Sequence, residues 1–339
     1  MFGFGIIGCG MVANIHVQAI EAIADAELIG VFDQNIQYGK QFAVERKIKA
    51  FESIQALFAD EKIDIVCICT PSGLHAGLAI EALLAGKHVI VEKPMALNLQ
   101  DCDRIMAAEK RSGKICAVVS QLRFSPVSEQ VKKEISAGNL GKIVEIGLHM
   151  RYHRSKEYYA NSAWRGTWAM DGGGALMNQG IHGVDLLISF LGLPKSVFAY
   201  CRTLHHDIEV EDTVTAVLEY ENGPIGVLEA TTSVYPGYPR QLGIYGTEGC
   251  IVLEENSIKK WDVKDASVSE TITEQSGKNG GFQNPADISY VGHQKEFEDV
   301  IAAIKAGRRP IVDTVEGKKS IELITAIYKS SETGKKIIL

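Results

Sequence analysis

The first 120 or so residues alternate two apolar rhythms. Short runs rich in Val and Ile fall at residues 4–7, 28–32, 63–69, 89–91 and 115–119. Continuous apolar runs of this length suit strands covered on both faces of a parallel sheet. Between them, residues 12–24, 38–45, 74–84 and 98–111 repeat apolar positions with helical spacing. Asn98 stands where an N-cap is needed, and Gly86 and Gly113 stand where C-caps are needed. Strands alternating with helices of this length predict a doubly wound α/β domain.

The rhythm then changes. Residues 127–136 read as a helix, residues 143–153 as a long strand, and residues 175–191 as an apolar helix that Gly192 and Pro194 end. From 197 to 263 the pattern is mostly strands, with turns at Asn222-Gly223-Pro224, Pro236-Gly237 and Thr247-Glu248-Gly249. Strands in series without helices between them predict an antiparallel or mixed sheet. Residues 264–285 read as a polar loop, followed by helices over 288–306 and 315–332. The expected division is a domain at 1–121 and a second at 122–339, whose C-terminal helix packs back on the first.

Composition narrows the partners. Lys and Arg number 35 against 42 Asp and Glu, net −7, so there is no basic footprint for a nucleic-acid backbone and no polybasic membrane anchor. The apolar runs are too short to cross a bilayer. The N-terminus has no basic leader and runs directly into a strand, so no export signal is expected. Seven cysteines, an odd number spread along the chain, then predict reduced thiols in a cytoplasm. Cys67 and Cys69 on one strand, His153, and His205-His206 are residue types that bind metals, but no supporting cluster accompanies them, and no metal is expected.

Thirty-three glycines exceed the usual share, and two clusters hold the chemistry. Gly8-Cys9-Gly10-Met11-Val12-Ala13 follows the first strand and opens the first helix, with Asp33 at the end of the second strand. This is the dinucleotide fingerprint in its proper context: Gly8 for the turn, Gly10 for approach to a pyrophosphate, and Ala13 for close packing of helix on strand. Met11 and Val12 complete the phosphate loop. Asp33 would accept the adenine-ribose hydroxyls and repel a 2′-phosphate, which favours NAD over NADP. Thr70-Pro71-Ser72-Gly73-Leu74-His75 and Glu92-Lys93-Pro94 sit at the carboxyl ends of later strands, where open α/β sheets bind ligands. Lys93 reads equally as a cleft residue or as a strand-end lysine paired with Glu92.

The second cluster is Gly172-Gly173-Gly174, ahead of Asn178, His182 and Asp185, which share one face of the expected helix. The glycines would let backbone or ligand approach its start. An imidazole flanked by an amide and a carboxylate forms an acid/base unit; a histidine simply buried in an apolar helix is the plain alternative. Gln121 and Arg123, after the last strand of the first domain, are candidates for cofactor or substrate. Arg151, Tyr152, Arg154, Arg165 and Arg240 are candidates for substrate hydroxyls or an anionic group, or ordinary salt-bridging residues.

Together these motifs, with Trp164-Arg165 and the pattern from His293 to Pro310, resemble the Gfo/Idh/MocA oxidoreductases over nearly the whole chain. The resemblance implies an N-terminal Rossmann domain joined to an α/β domain with a large open, mostly antiparallel sheet that often forms homodimers or homotetramers. It implies an NAD(P)-dependent dehydrogenase of sugars or polyols. Lys93 would stabilise the reacting oxygen and His182 would act as acid/base. Gly8, Gly10, Met11, Val12, Asp33, Thr70, Pro71, Ser72, His75, Glu92, Lys93, Gln121, Trp164 and Arg165 would meet the cofactor; Lys93, Arg123, Tyr152, Asn178 and His182 would meet substrate. Many members carry aspartate where this chain has Asn178, so Asp185 is the candidate to orient His182, and Asn178 to hydrogen-bond substrate or the cofactor amide.

Two further readings stay open. A nucleotide-sugar dehydrogenase would need arginines for a diphosphate. A dinucleotide-sensing regulatory protein is disfavoured because Lys93 and His182 are both present.

Overall fold

The computed structural model describes residues 1–264 and 289–339, so all but the first residue of the expected loop at 264–285 lies outside the described residues. The chain forms two compact units, Met1–Gln121 with Ser289–Lys318, and Leu122–Ile288 with Lys319–Leu339.

The first unit contains a six-stranded sheet: β1 (Phe2–Ile7), β2 (Ala26–Phe32), β3 (Lys49–Ala50), β4 (Ile65–Ile68), β5 (His88–Val91) and β6 (Cys116–Val118). All pairs are parallel and the order is β3-β2-β1-β4-β5-β6, with the switch point between β1 and β4. Every residue of β4 is buried, as a strand covered on both faces requires. Helices Met11–Glu21, Ile36–Arg46, His75–Leu84 and Leu99–Ser112 connect the strands. Asn98 caps the last of these by accepting from the Asp101 N–H, and Gly113 closes it in the left-handed conformation. The short β3 and the helix Ile54–Ala59 have no counterpart in the apolar pattern.

Ser289–Lys318 returns to this unit through the helix Val291–Ala306. Its Phe297, Val300 and Ile301 join the apolar core beside Phe4 and Ile20. Phe297 stacks on Phe4 with ring centroids 6.1 Å apart.

The second unit contains eight strands: β7 (Ile143–Arg151), β8 (Ser196–Arg202), β9 (Thr213–Glu219), β10 (Ile225–Thr231), β11 (Gln241–Gly246), β12 (Gly249–Glu254), β13 (Ser257–Val263) and β14 (Ile337–Ile338). Their order is β13-β12-β11-β7-β10-β9-β8-β14, antiparallel except for β7 with β10. Alternation gives the sheet two characters. Val214, Ala216, Leu218, Leu228 and Ala230 are buried, whereas Val217, Ile225, Val227 and Tyr200 are exposed.

The expected α-helix over 175–191 is two elements. Ala175–Gly180 is a π-helix and Ile181–Leu191 an α-helix. The Gln179 N–H donates to the Gly174 carbonyl five residues back. Gly180 permits the wide turn: a Cβ there would stand 3.0 Å from the Ala175 carbonyl oxygen. Farther along, Gly183 lets the helix lie against β7, where a Cβ would meet the Met150 sulfur at 2.5 Å.

Candidate active site

In the first unit the chain turns between β1 and the helix Met11–Glu21 through Gly8, Cys9 and Gly10. Gly8 has φ +90°, and a Cβ there would lie 2.7 Å from the Cys69 carbonyl oxygen, so no other residue fits. Gly10 is the N-cap; a Cβ on it meets nothing within 4 Å, and no side chain caps the helix. The opening N–H groups, including those of Met11 and Val12, therefore form an open, uncapped donor set of the kind that holds a pyrophosphate. Asp33 accepts from the Cys9 N–H at 2.8 Å and the Asn35 N–H at 2.8 Å, which ties the end of β2 to the glycine turn. Burial first, and then the Asp33 charge, push the Cys9 thiol up to about 12, so it is inert at neutral pH.

The ends of β4 and β5 carry the remaining candidates. Thr70 Oγ1 and Gln121 Oε1 are buried with no hydrogen-bond partner among the described residues, so both are available to a polar ligand. Ser72 begins a short 3₁₀ turn after Pro71. The buried ring of His75 lies between two carbonyls, 2.7 Å from that of Pro94 and 2.9 Å from that of Thr70, and burial lowers its pKa. Glu92 is also buried: its Oε1 lies 2.8 Å from His16 Nε2 and 3.8 Å from His293 Nε2, and its Oε2 accepts the Lys93 N–H at 3.2 Å. Burial favours the neutral acid, but the hydrogen bond and charge of His16, with His293 and Lys93, outweigh it and hold Glu92 down at about 2. His75 and Glu92, both expected to meet the cofactor, bond the backbone beside Thr70 and Lys93.

His16, Glu92 and His293 have ligand atoms within 4.8 Å of one another, the one such group among the described residues. His16 Nδ1 is buried with no hydrogen-bond partner among the described residues. A metal-bound imidazole normally donates its second N–H to an acceptor, so the trio fits a carboxylate held by two imidazoles better than a metal centre.

In the second unit the glycine triplet is filled by protein. The Glu211 carboxylate accepts from the Gly174 N–H at 2.9 Å, the Leu176 N–H at 2.8 Å and the Tyr328 hydroxyl at 2.9 Å. A Cβ on Gly174 would stand 2.0 Å from the Glu211 carbonyl oxygen, and one on Gly173 2.2 Å from the Tyr328 hydroxyl. The triplet thus admits backbone and a buried carboxylate to the start of the π-helix.

Asn178 lies within that turn. Its amide donates to Asp171 Oδ1 and accepts from Gln179 Nε2 at 3.0 Å. His182 is half-buried, one residue into the α-helix that follows. Asp185 is engaged by the Arg123 guanidinium on both carboxylate oxygens, at 2.9 and 2.8 Å. Arg123, a substrate candidate by sequence, is therefore part of a buried ion pair with Asp185. Tyr152 is buried, its phenol pushed up first by desolvation. Arg154 bonds Gln179, Arg240 bonds Glu255, and Arg151 pairs with Glu229 on the exposed sheet face. Arg165 lies 4.3 Å over the Tyr158 ring and 5.4 Å from that of Trp164, and its buried Nε has no hydrogen-bond partner among the described residues.

Comparison with known proteins agrees with this arrangement. Residues 2–120 match the family described as "Oxidoreductase family, NAD-binding Rossmann fold", and residues 128–252 match the "GFO/IDH/MocA C-terminal domain". The WlbA dehydrogenase from Bordetella pertussis, solved with NADH and UDP-GlcNAcA, is 34% identical with a TM-score of 0.89, covering 100% of this chain and 98% of that one. The chain belongs to the Gfo/Idh/MocA family. Myo-inositol 2-dehydrogenase of Thermotoga maritima is 26% identical over 99% of this chain and 98% of its own length. The scyllo-inositol 2-dehydrogenase (NAD(+)) of Bacillus subtilis is 25% identical over 97% and 94%. Like other members of the Gfo/Idh/MocA family, the chain is an oxidoreductase with an NAD-binding Rossmann domain.

Sequence reasoning missed His16, Asp171, Gln179 and Glu211, and gave His293 no partner. His16 and His293 sit on apolar helix faces, where a histidine gives no sign of its partner. Glu211-Asp212 does carry a signal: two adjacent acids entering a strand are hard to bury unless backbone donors converge on them. Asp212 indeed accepts from the N–H groups of Leu204, His205 and His206.

Proposed function

We propose that this chain transfers hydride between NAD and the hydroxyl-bearing carbon of a sugar, with Lys93 and His182 as the working pair. The whole-chain similarity to dehydrogenases of inositols and to a dehydrogenase solved with NADH and UDP-GlcNAcA carries this reading. NAD, held at the Gly8–Gly10 turn, would supply the hydride acceptor. The Lys93 ammonium, presented at the end of β5, stabilises negative charge growing on the substrate oxygen, and the His182 imidazole takes the hydroxyl proton as the carbonyl forms. Asp33 sets the preference for NAD through the ribose hydroxyls. The exposed face of the eight-stranded sheet, with Val217, Ile225 and Val227, supports pairing of copies into a homodimer or homotetramer. The working compartment is the cytoplasm, without nucleic-acid or membrane partners; no helix among the described residues is long and apolar enough to cross a membrane.

A nucleotide-linked sugar acid is favoured within this class. The relative solved with UDP-GlcNAcA is 34% identical, against 26% and 25% for the two inositol dehydrogenases. The test is a panel of sugars, polyols and UDP-sugars with NAD and NADP, followed by absorbance of the reduced nicotinamide. Turnover with Lys93→Ala or His182→Ala should fall by about 100-fold or more, and Asp33→Ala should weaken NAD more than NADP. Silence across the whole panel would favour the dinucleotide-sensing alternative. Wild-type turnover by both variants would remove the assigned roles.

A further inference from the structure

Asp171 is 1% exposed and Arg154 5% exposed, so an anion and a cation are both buried in the second unit. Buried charges persist only with partners. Here two side-chain amides join them. Arg154 donates to Gln179 Oε1 from Nε at 3.1 Å and from Nη2 at 2.7 Å. Gln179 Nε2 donates to Asn178 Oδ1 at 3.0 Å and to the Tyr158 hydroxyl at 2.8 Å. Asn178 Nδ2 donates to Asp171 Oδ1, and Asp171 Oδ2 accepts the Gly166 N–H at 2.9 Å.

Both amides point the same way, oxygen toward the guanidinium and N–H toward the carboxylate. Turning either one over would set donor against donor and acceptor against acceptor, so the charged ends fix the orientation of both. Asn178 and Gln179 lie in the π-helix that runs directly into the helix of His182. We propose that Asp171 is a positioning residue of the reaction, fixing the Asn178 amide and seating the π-turn ahead of His182. This rests on the assignment of Asn178 and His182 to the substrate site.

A reciprocal exchange tests it. In Asp171→Asn, one heteroatom of the new amide becomes a donor, so it cannot accept from both Gly166 and Asn178. In Asn178→Asp, two carboxylates meet. In the double variant every bond returns: the amide at 171 accepts from Gly166 and donates to the carboxylate at 178, whose other oxygen accepts from Gln179. The measurements are kcat, KM, NADH affinity and melting temperature on the full chain.

Each single variant should lose about tenfold or more in kcat, the scale of small misplacements of reacting groups, with NADH affinity unchanged. The exchange should recover kcat to within about threefold of wild type, a strong coupling between neighbouring sites. Singles that melt earlier yet keep wild-type kcat per NADH-binding site would reduce Asp171 to a structural role. A folded exchange variant no better than the singles would overturn the pairing. Should a single variant fail to fold, recovery of kcat in the exchange still decides. A wild-type protein that turns over nothing in the panel fails the functional reading itself, whereas an active wild type with a dead exchange fails only the inference.

Discussion

Arg123 forks onto Asp185, with Nε 2.9 Å from Oδ2 and Nη2 2.8 Å from Oδ1, and each side chain is only 6% exposed. Arg123 belongs to a 3₁₀ turn, Gln121–Phe124, and Asp185 to the helix that carries His182. The pair pins that helix from the side. Planar bidentate geometry suits arginine and not lysine.

Asp185→Ala should therefore strip the buried Arg123 guanidinium of its bidentate carboxylate and destabilise the fold by about 3–5 kcal/mol in urea unfolding. Replacing both partners, as in Arg123→Met with Asp185→Leu, should cost far less, because no buried charge remains. Equal losses in the single and double variants would show that the ion pair does not anchor this helix.

Acid should weaken the fold in two steps. Burial pushes His293 down from its ordinary 6.5 to about 4. Between those values the unfolded chain takes a proton that folded His293 refuses, so stability falls as pH drops from 6.5 toward 4. Glu92 is held at about 2, below its ordinary 4.5, and its contribution, present above 4.5, is lost from there down to about 2. Unfolding midpoints of His293→Gln should be flatter than wild type between pH 6.5 and 4, and those of Glu92→Gln flatter between 4.5 and 2. Unchanged slopes would remove these groups as the source of acid sensitivity.

Gly174→Ala should be disproportionately damaging for one added methyl. The Cβ would meet the Glu211 carbonyl oxygen at 2.0 Å, and backbone must move to make room. A loss of about 1–3 kcal/mol or more is expected in thermal unfolding. Gly77→Ala, where a Cβ meets nothing within 4 Å and φ is not in the left-handed region, is the control for adding a methyl without the clash. Similar losses at both positions would mean that the close approach to Glu211 matters little.

Much of the first unit was legible beforehand because its signals are local. Val and Ile runs flanked by helical spacing imply buried parallel strands, and a turn that requires φ +90° at Gly8 requires glycine there. In the second unit the strand series was equally plain, but the π-helix was not. Apolar periodicity over 175–191 fits one α-helix, and nothing local reveals that Glu211, more than 30 residues later, accepts the N–H groups of Gly174 and Leu176.

By itself, then, the sequence determined the two-part α/β plan, the glycine turn for a dinucleotide and the residue types available for proton transfer, because each rests on neighbours within a turn or a strand. Tertiary structure alone decided the partners. It set Glu92 between His16 and His293, Asp185 against Arg123, and Asn178 between Asp171 and Gln179. A buried charge takes its partner from whichever element folding brings alongside, and sequence distance does not encode that.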